Sequence, residues 1–455
     1  MNTTINPLIT MNTGNTMNGV ASYLKRPTAT EKGQVGLRLI PSGPAAGAVA
    51  TDRHVHIGLV LDSSGSMEGE RMDSLKRTLD VLIKRLAIGD KISVVSFSNT
   101  SVIVLSGITI TEENRATTLS EVARLRAEGG TNLESGIAAL GGLIGSTGRP
   151  DAVVILTDGH INEGISSAGG LCSLLNSYLH LVPVYTLGYG IDHNGTLLRQ
   201  ISTRTQGTYT FIDTEIMLPA SIGELMGSLM NEVAKNAALV YPATWTCEEP
   251  EPQTAGRYEI GSLIRDKPHW VVFSLPPGSI ETEFALTYTV EGSTFTDRIV
   301  LVDGGLDPIE IEEQLLRCHA GKALNAVATA LQNYNLTEAK RLLAEALAFI
   351  AASSASAKPL AIRMKAQLDE MKETVDAAAA ASVGHRRVAH DVLSPLLLRT
   401  TNLGANYSLQ RGPSGGGAHG RGPVSLFATP AVEEEAAAMS AHYSAGPHEG
   451  DPDAV

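Results

Sequence analysis

The stretch Val55-His-Ile-Gly-Leu-Val-Leu-Asp-Ser-Ser-Gly-Ser66 constrains this chain more than any other. Its apolar run, Ile57 to Leu61, reads as a buried central strand, and Asp62 follows it directly. Asp62, Ser64 and Ser66 then fall at alternate positions of a glycine-containing turn. Beyond the turn, residues 67–87 carry helical apolar spacing at Leu75, Leu79, Leu82, Ile83 and Leu86. A strand ending in a tight loop ahead of a helix is where open α/β sheets place ligands. One carboxylate and two hydroxyls there, all hard oxygen donors, suit Mg²⁺, which takes a few protein oxygens and keeps several waters. Asp and Ser are equally at home as helix N-caps. Alone, the stretch therefore leaves a metal site and a capping turn both open.

Two later stretches bear on that choice. Ala127-Glu-Gly-Gly-Thr131-Asn-Leu133 is a Gly-Gly turn ahead of another helical pattern, and it places Thr131 on a loop. Asp151-Ala-Val-Val-Ile-Leu-Thr157-Asp158-Gly159 is a second buried strand that ends in a carboxylate. With Asp62-x-Ser64-x-Ser66, Thr131 and Asp158, the chain resembles the von Willebrand factor type A domain over about residues 53–233. The five residues match, in order, that family's metal-ion-dependent adhesion site. The resemblance implies a doubly wound, mostly parallel, Rossmann-like α/β sheet. It also implies that Ser64 and Ser66 ligate the cation directly and that Asp62 and Asp158 neutralise charge and hold waters. Thr131 would alternate between direct and water-mediated contact. Two carboxylates and three neutral hydroxyls underfill an octahedral site, leaving a water position open to an outside Asp or Glu. The implied ion is Mg²⁺, with Mn²⁺ or Ca²⁺ as alternatives.

The remaining sequence divides around that domain. Residues 1–30 read as a polar, Asn/Thr-rich flexible arm. Residues 34–52 begin with the alternating strand Gln34-Val-Gly-Leu-Arg-Leu-Ile40. Residues 234–304 are short alternating stretches broken by Pro, Gly and acidic turns, the pattern of an antiparallel β unit. About five strands are few for a closed sandwich, so strand 34–40 is expected to complete it, with the α/β domain inserted. Trp245 and Trp270 are expected in its core. Residues 306–382 are helical; the break at 333–335 makes two amphipathic helices antiparallel neighbours, and a third runs from Pro359 to Ala381. Residues 383–455, Gly-rich and then acidic, are expected to be mostly disordered.

Composition narrows the function. A net charge of −13 argues against nucleic acid as a partner, because phosphate binding needs clustered Lys and Arg. Cys172, Cys247 and Cys318 are far apart and odd in number, which fits a reducing compartment better than a disulfide framework. The N-terminus shows no basic start and apolar core of a secretory signal, and no run of about 18 apolar residues predicts a membrane span. A cytoplasmic location is the expectation.

No Walker-type GxxxxGK[ST], HExxH or CxxC motif is present. His160, Asn162 and Glu163 adjoin Asp158 and are the candidates for a metal-assisted hydrolase. A loop His beside a metal is more often a rim residue. His54 and His56 flank the first strand as edge residues. The leading expectation is a non-enzymatic, Mg²⁺-dependent protein-binding module for a partner presenting Asp or Glu. The alternative is an adaptor in a larger complex, such as a ubiquitin ligase assembly, though a RING's zinc-spaced Cys/His set is lacking.

Overall fold

The computed structural model describes residues 8–10, 15–44, 54–214, 217–250, 254–280, 283–290, 292–381, 396–398, 400 and 437–441. The chain forms two compact units, one built on Asp52–Asn231 and the other on the segments flanking it, Met1–Thr51 and Glu232–Pro413.

The flanking unit starts with strands β1 (Leu8–Thr10), β2 (Asn15–Lys25) and β3 (Gly33–Pro44), each paired antiparallel with the next. Where the chain is described, at 8–10 and 15–25, this corrects the flexible arm expected for residues 1–30. Val20, Ala21 and Ser22 are buried, and β2 pairs with β3 along most of its length. A strand flanked by partners is held by the ladder and by packing more than by its own propensity. An Asn/Thr-rich composition is therefore no bar to a strand here.

The inserted unit alternates strands and helices: β4 (His56–Asp62), α1 (Glu70–Arg85), β5 (Lys91–Phe97), β6 (Ser101–Thr109), α2 (Glu112–Ala123) and α3 (Leu133–Thr147). Then follow β7 (Ala152–Thr157), α4 (Ala168–Leu179), β8 (Val184–Tyr189), α5 (Gly195–Arg204), β9 (Tyr209–Ile212) and α6 (Met217–Met230). The sheet order is β6-β5-β4-β7-β8-β9, parallel except for β6. Every residue of β4, β7 and β8 is buried, as a parallel sheet covered on both faces requires. Leu59 and Leu61 join the apolar cluster that holds α1 and α6, while Val60 joins the one that holds α3 and α4. His56 lies inside the central strand, buried, with Nε2 2.9 Å from Ser93 Oγ, and is not the edge residue expected.

The chain fills this sheet from β4 outward to β5 and β6, then returns to lay β7 against the other side of β4. The direction of winding therefore reverses between β4 and β7, where such sheets open a crevice at the strands' C-terminal ends.

α6 stops at Met230, and Glu232 already begins β10 (Glu232–Val240), so the last residues expected in this helix are strand instead. With β11 (Thr246–Cys247), β12 (Arg257–Ile264), β13 (His269–Leu275), β14 (Glu283–Val290) and β15 (Ser293–Val302) it resumes the flanking unit. The strands link in the order β11-β13-β3-β2-β15-β14-β10-β12, antiparallel except for a short parallel pairing of β15 with β2. β3 pairs with β13 from Gly33 to Leu39. Trp245, Phe273 and Phe284 meet in the interior, with ring centroids 5.2–6.0 Å apart.

Three helices follow: α7 (Pro308–Gln332), α8 (Leu336–Ala352) and α9 (Pro359–Ala381). Asp307 caps α7 by accepting a hydrogen bond from Ile309 N, and Asn335 caps α8 through Glu338 N. Most of the expected disordered segment, 383–455, lies outside the described residues. Within it, Leu396 is buried among the three helices and Met439 in the cluster that holds α1 and α6, so these two positions are packed rather than loose. Cys172, Cys247 and Cys318 are free thiols. Among the described residues no helix is long and apolar enough to cross a membrane.

Candidate metal centre

Asp62 is the last residue of β4, and Asp158 directly follows the last residue of β7. The two strands that flank the winding reversal thus each deliver a carboxylate to the crevice, and both carboxylates are fully buried. Asp62 is fixed from two sides: its Oδ1 accepts from Ser64 N at 2.8 Å and its Oδ2 from the Thr157 hydroxyl at 2.5 Å.

Between the strand and α1 the chain makes a short 3-10 turn, Gly65–Met67. The Ser64 side chain makes no capping bond there, and the residue capping α1 is Gly69. The capping reading of these serines is thereby removed. Their hydroxyls point into the crevice instead: Ser64 Oγ lies 3.1 Å from Ser66 Oγ, and Ser66 Oγ donates to Asp158 Oδ1 at 2.7 Å.

Thr131 arrives from the loop ahead of α3. Gly129 N-terminal to it holds φ +73°, and a side chain there would collide with Asn99, so the turn requires glycine. The Gly129 carbonyl accepts from Gly65 N at 3.0 Å, tying this loop to the serine turn. A Cβ built on Gly159 would stand 3.7 Å from both Ser66 Oγ and Thr131 Oγ1, which marks the space where the three loops converge. All five predicted residues, Asp62, Ser64, Ser66, Thr131 and Asp158, are therefore brought together. Four are buried and Ser66 is exposed, so the cluster opens to solvent on one side.

The flanking candidates have other partners. Asn162 Oδ1 accepts from Thr131 N at 2.9 Å, and Glu163 Oε1 accepts from Asn99 Nδ2 at 2.5 Å. Both hold the threonine loop in place. His160 is exposed on the rim.

Sequence reasoning missed Arg71. Its Nη1 lies 2.5 Å from Asp158 Oδ2 and its Nη2 lies 3.7 Å from Asp192 Oδ2. An Arg in the first turn of a helix opposes the helix dipole, and that is the one sequence signal that marks it.

Electrostatically the crevice favours a cation. Burial raises the Asp62 carboxyl above the ordinary carboxylate range, against the hydrogen bonds from Ser64 and Thr157, and the Asp158 charge raises it further. Among the described residues no group of three or more His, Cys, Asp and Glu gathers as a metal site, so any metal held here depends on the hydroxyls. The donor set is all hard oxygen, the chemistry of Mg²⁺, Mn²⁺ or Ca²⁺ rather than of a soft metal.

Residues 55–211 match the von Willebrand factor type A domain family. The chain contains a von Willebrand factor type A domain. An uncharacterised protein of Synechocystis sp. is 31% identical over 203 residues, which cover 43% of this chain and 47% of that protein. Inter-alpha-trypsin inhibitor heavy chain H6 of Homo sapiens is 26% identical over 209 residues, 42% of this chain and 16% of the relative. The chain thus spans less than half the length of these curated relatives. Among solved structures, a von Willebrand factor type A protein from Catenulispora acidiphila superposes with a TM-score of 0.59 at 17% identity, covering 79% of this chain and 88% of that one. The ArnB paralog VWA2 from Sulfolobus acidocaldarius gives 0.51 at 17% identity, covering 80% and 98%. At that identity the likeness concerns the fold. Type A domains typically act in protein–protein interaction.

Proposed function

We propose that the type A domain binds a protein partner through a Mg²⁺ ion held by Asp62, Ser64, Ser66, Thr131 and Asp158, onto which an Asp or Glu of the partner docks. The observation that carries this reading is the convergence of those five oxygen-bearing side chains at the reversal between β4 and β7, with Ser66 on the open side. Five protein oxygens leave one position of an octahedral Mg²⁺ to water, and an anionic oxygen of the partner can replace that water. Mn²⁺ or Ca²⁺ would fill the same role.

The centre is non-enzymatic in this reading. A hydrolytic metal needs a base aimed at its water, and Glu163 and Asn162 are engaged with Asn99 and Thr131. The antiparallel strands flanking the insertion and the three helices that follow them make up the second unit. The protein works in the cytoplasm, in keeping with three free, separated cysteines.

The test is capture from the source lysate on three baits: wild type with Mg²⁺, wild type with EDTA, and Asp62→Ala with Mg²⁺. Partners lost from both the chelated and the mutant lane support metal-bridged docking. Partners kept in all three lanes overturn it and favour an adaptor that recruits through its strands or helices.

A further inference from the structure

One ion pair in the crevice has no place in a bare five-residue metal site. Arg71, half-buried near the start of α1, puts Nη1 2.5 Å from Oδ2 of Asp158, while Asp158 Oδ1 takes the Ser66 hydroxyl. The guanidinium therefore holds the same carboxylate that the metal reading gives to the cation. Arg offers only donors and cannot itself ligate a metal. Its charge can only substitute for the ion or oppose it.

The surroundings give that charge a second resting place. Asp192, on the loop after β8, has its carboxylate 3.7 Å from Nη2, and its side chain is 68% exposed. Between the two acids the guanidinium lies over the Tyr189 ring, 5.9 Å from the ring centroid. It also passes Gly190, where a Cβ would come within 3.0 Å of Nη2. The absence of a side chain at Gly190 leaves the path between the acids open. One acceptor is buried and would be left uncompensated without a cation; the other is solvated and can lose or gain a partner at small cost.

We propose that Arg71 is an internal counter-cation: it neutralises Asp158 in the metal-free centre, and a divalent ion enters by displacing it onto Asp192. This inference rests on the metal-site reading above. Metal binding at this centre is then an exchange of one cation for another. Arg71 keeps the empty crevice folded and lowers its affinity for the ion, so partner docking requires a higher Mg²⁺ concentration than the five ligands alone would set. Arg71 is a positioning residue here and touches neither metal nor partner in the loaded state.

The experiment is calorimetric titration of MgCl₂ into the full chain and into Arg71→Gln, Arg71→Lys and Asp192→Asn, with thermal melts in EDTA alongside. Arg71→Gln is expected to bind Mg²⁺ about tenfold more tightly, equivalent to about 1.4 kcal/mol, and to melt at a lower temperature without metal. Arg71→Lys keeps the charge and should stay near wild type. Asp192→Asn removes the alternative acceptor from an exposed position and should weaken Mg²⁺ binding about threefold, with its fold intact. A merely structural role for Arg71 cannot give tighter metal binding together with lower metal-free stability. Wild-type binding matched or exceeded in strength over Arg71→Gln overturns this inference and leaves the metal site standing. Unchanged affinity in Asp192→Asn overturns the exchange onto Asp192. Absence of Mg²⁺ binding in every protein overturns the inference together with the metal reading.

Discussion

The Thr157 hydroxyl donates to the Asp62 carboxylate across 2.5 Å, joining the C-terminal ends of two neighbouring parallel strands whose residues are 95 positions apart in the chain. That bond fixes one of the two acids of the crevice from the strand that supplies the other. It also holds in place a buried carboxylate whose ionisation is opposed by desolvation.

Asp62→Asn is therefore expected to stabilise the metal-free protein while abolishing its response to Mg²⁺. The carboxyl of Asp62 is raised in the fold, so the folded state binds the extra proton over the interval from the ordinary carboxylate value upward. Stability from this group is present at low pH and lost as pH rises through that interval, leaving ionised Asp62 a burden at neutral pH. Removing the charge should raise the EDTA melting temperature by about 2–4 °C, corresponding to roughly 1 kcal/mol. Saturating Mg²⁺, at about a hundred times its dissociation constant, should stabilise the wild type by about 2.7 kcal/mol and the variant not at all. Melts in EDTA and in Mg²⁺ read both effects.

Gly136→Ala should loosen the helix that follows Thr131. A Cβ at Gly136 would lie 2.8 Å from Val60 Cγ1 and 3.0 Å from Phe97 Cδ1, so α3 must back away from the sheet. Overpacking of this kind costs about 1–3 kcal/mol, less a gain of up to about 1 kcal/mol from helix propensity. Urea denaturation should show the net loss, and Mg²⁺ affinity should fall because Thr131 precedes the same helix.

Arg317→Met should be among the most damaging single changes in the flanking unit. Arg317 on α7 is fully buried, with Nη2 2.7 Å from Glu249 Oε1 and Nε 2.8 Å from Gln314 Oε1. Truncation leaves the Glu249 charge buried without its cation, a loss of about 3–5 kcal/mol. The double variant Arg317→Met with Glu249→Leu should recover most of it. Equal destabilisation in single and double variants by chemical denaturation would show that packing, rather than the stranded charge, carries the cost.

Acid should weaken the type A domain through His193, against the smaller gain from protonating Asp62. His193 is buried with Nε2 2.8 Å from the Tyr209 hydroxyl, and burial pushes its imidazole down to about 4. The unfolded chain takes up that proton near pH 6.5, so stability from neutral His193 is full above that value and is lost as pH falls toward 4. The loss is on the order of 3 kcal/mol at most. Denaturation midpoints measured across that range should slope downward with acid, and His193→Gln should flatten the slope.

The sequence by itself determined the α/β core, because the runs before Asp62 and Asp158 are apolar on both faces and only a covered parallel sheet can bury them. It also determined the three helices at 308–381, where apolar spacing and the break at 333–335 set their course. The five oxygen donors were legible through the motif the chain shares with the type A family, whose members lie in loops at strand or helix ends. What only the tertiary structure decided is every feature whose physics lies in a partner distant along the chain. β2 is a strand because β3 and β15 flank it, despite its polar composition. His56 is internal because Ser93 on β5 meets its ring. Arg317 can be buried because Glu249, 68 residues away, meets it. Arg71 enters the crevice because β7 folds back against β4 and carries Asp158 to it, 87 residues further along. Local pattern fixes which face of an element is apolar, whereas the pairing of buried charges is settled only when the elements pack.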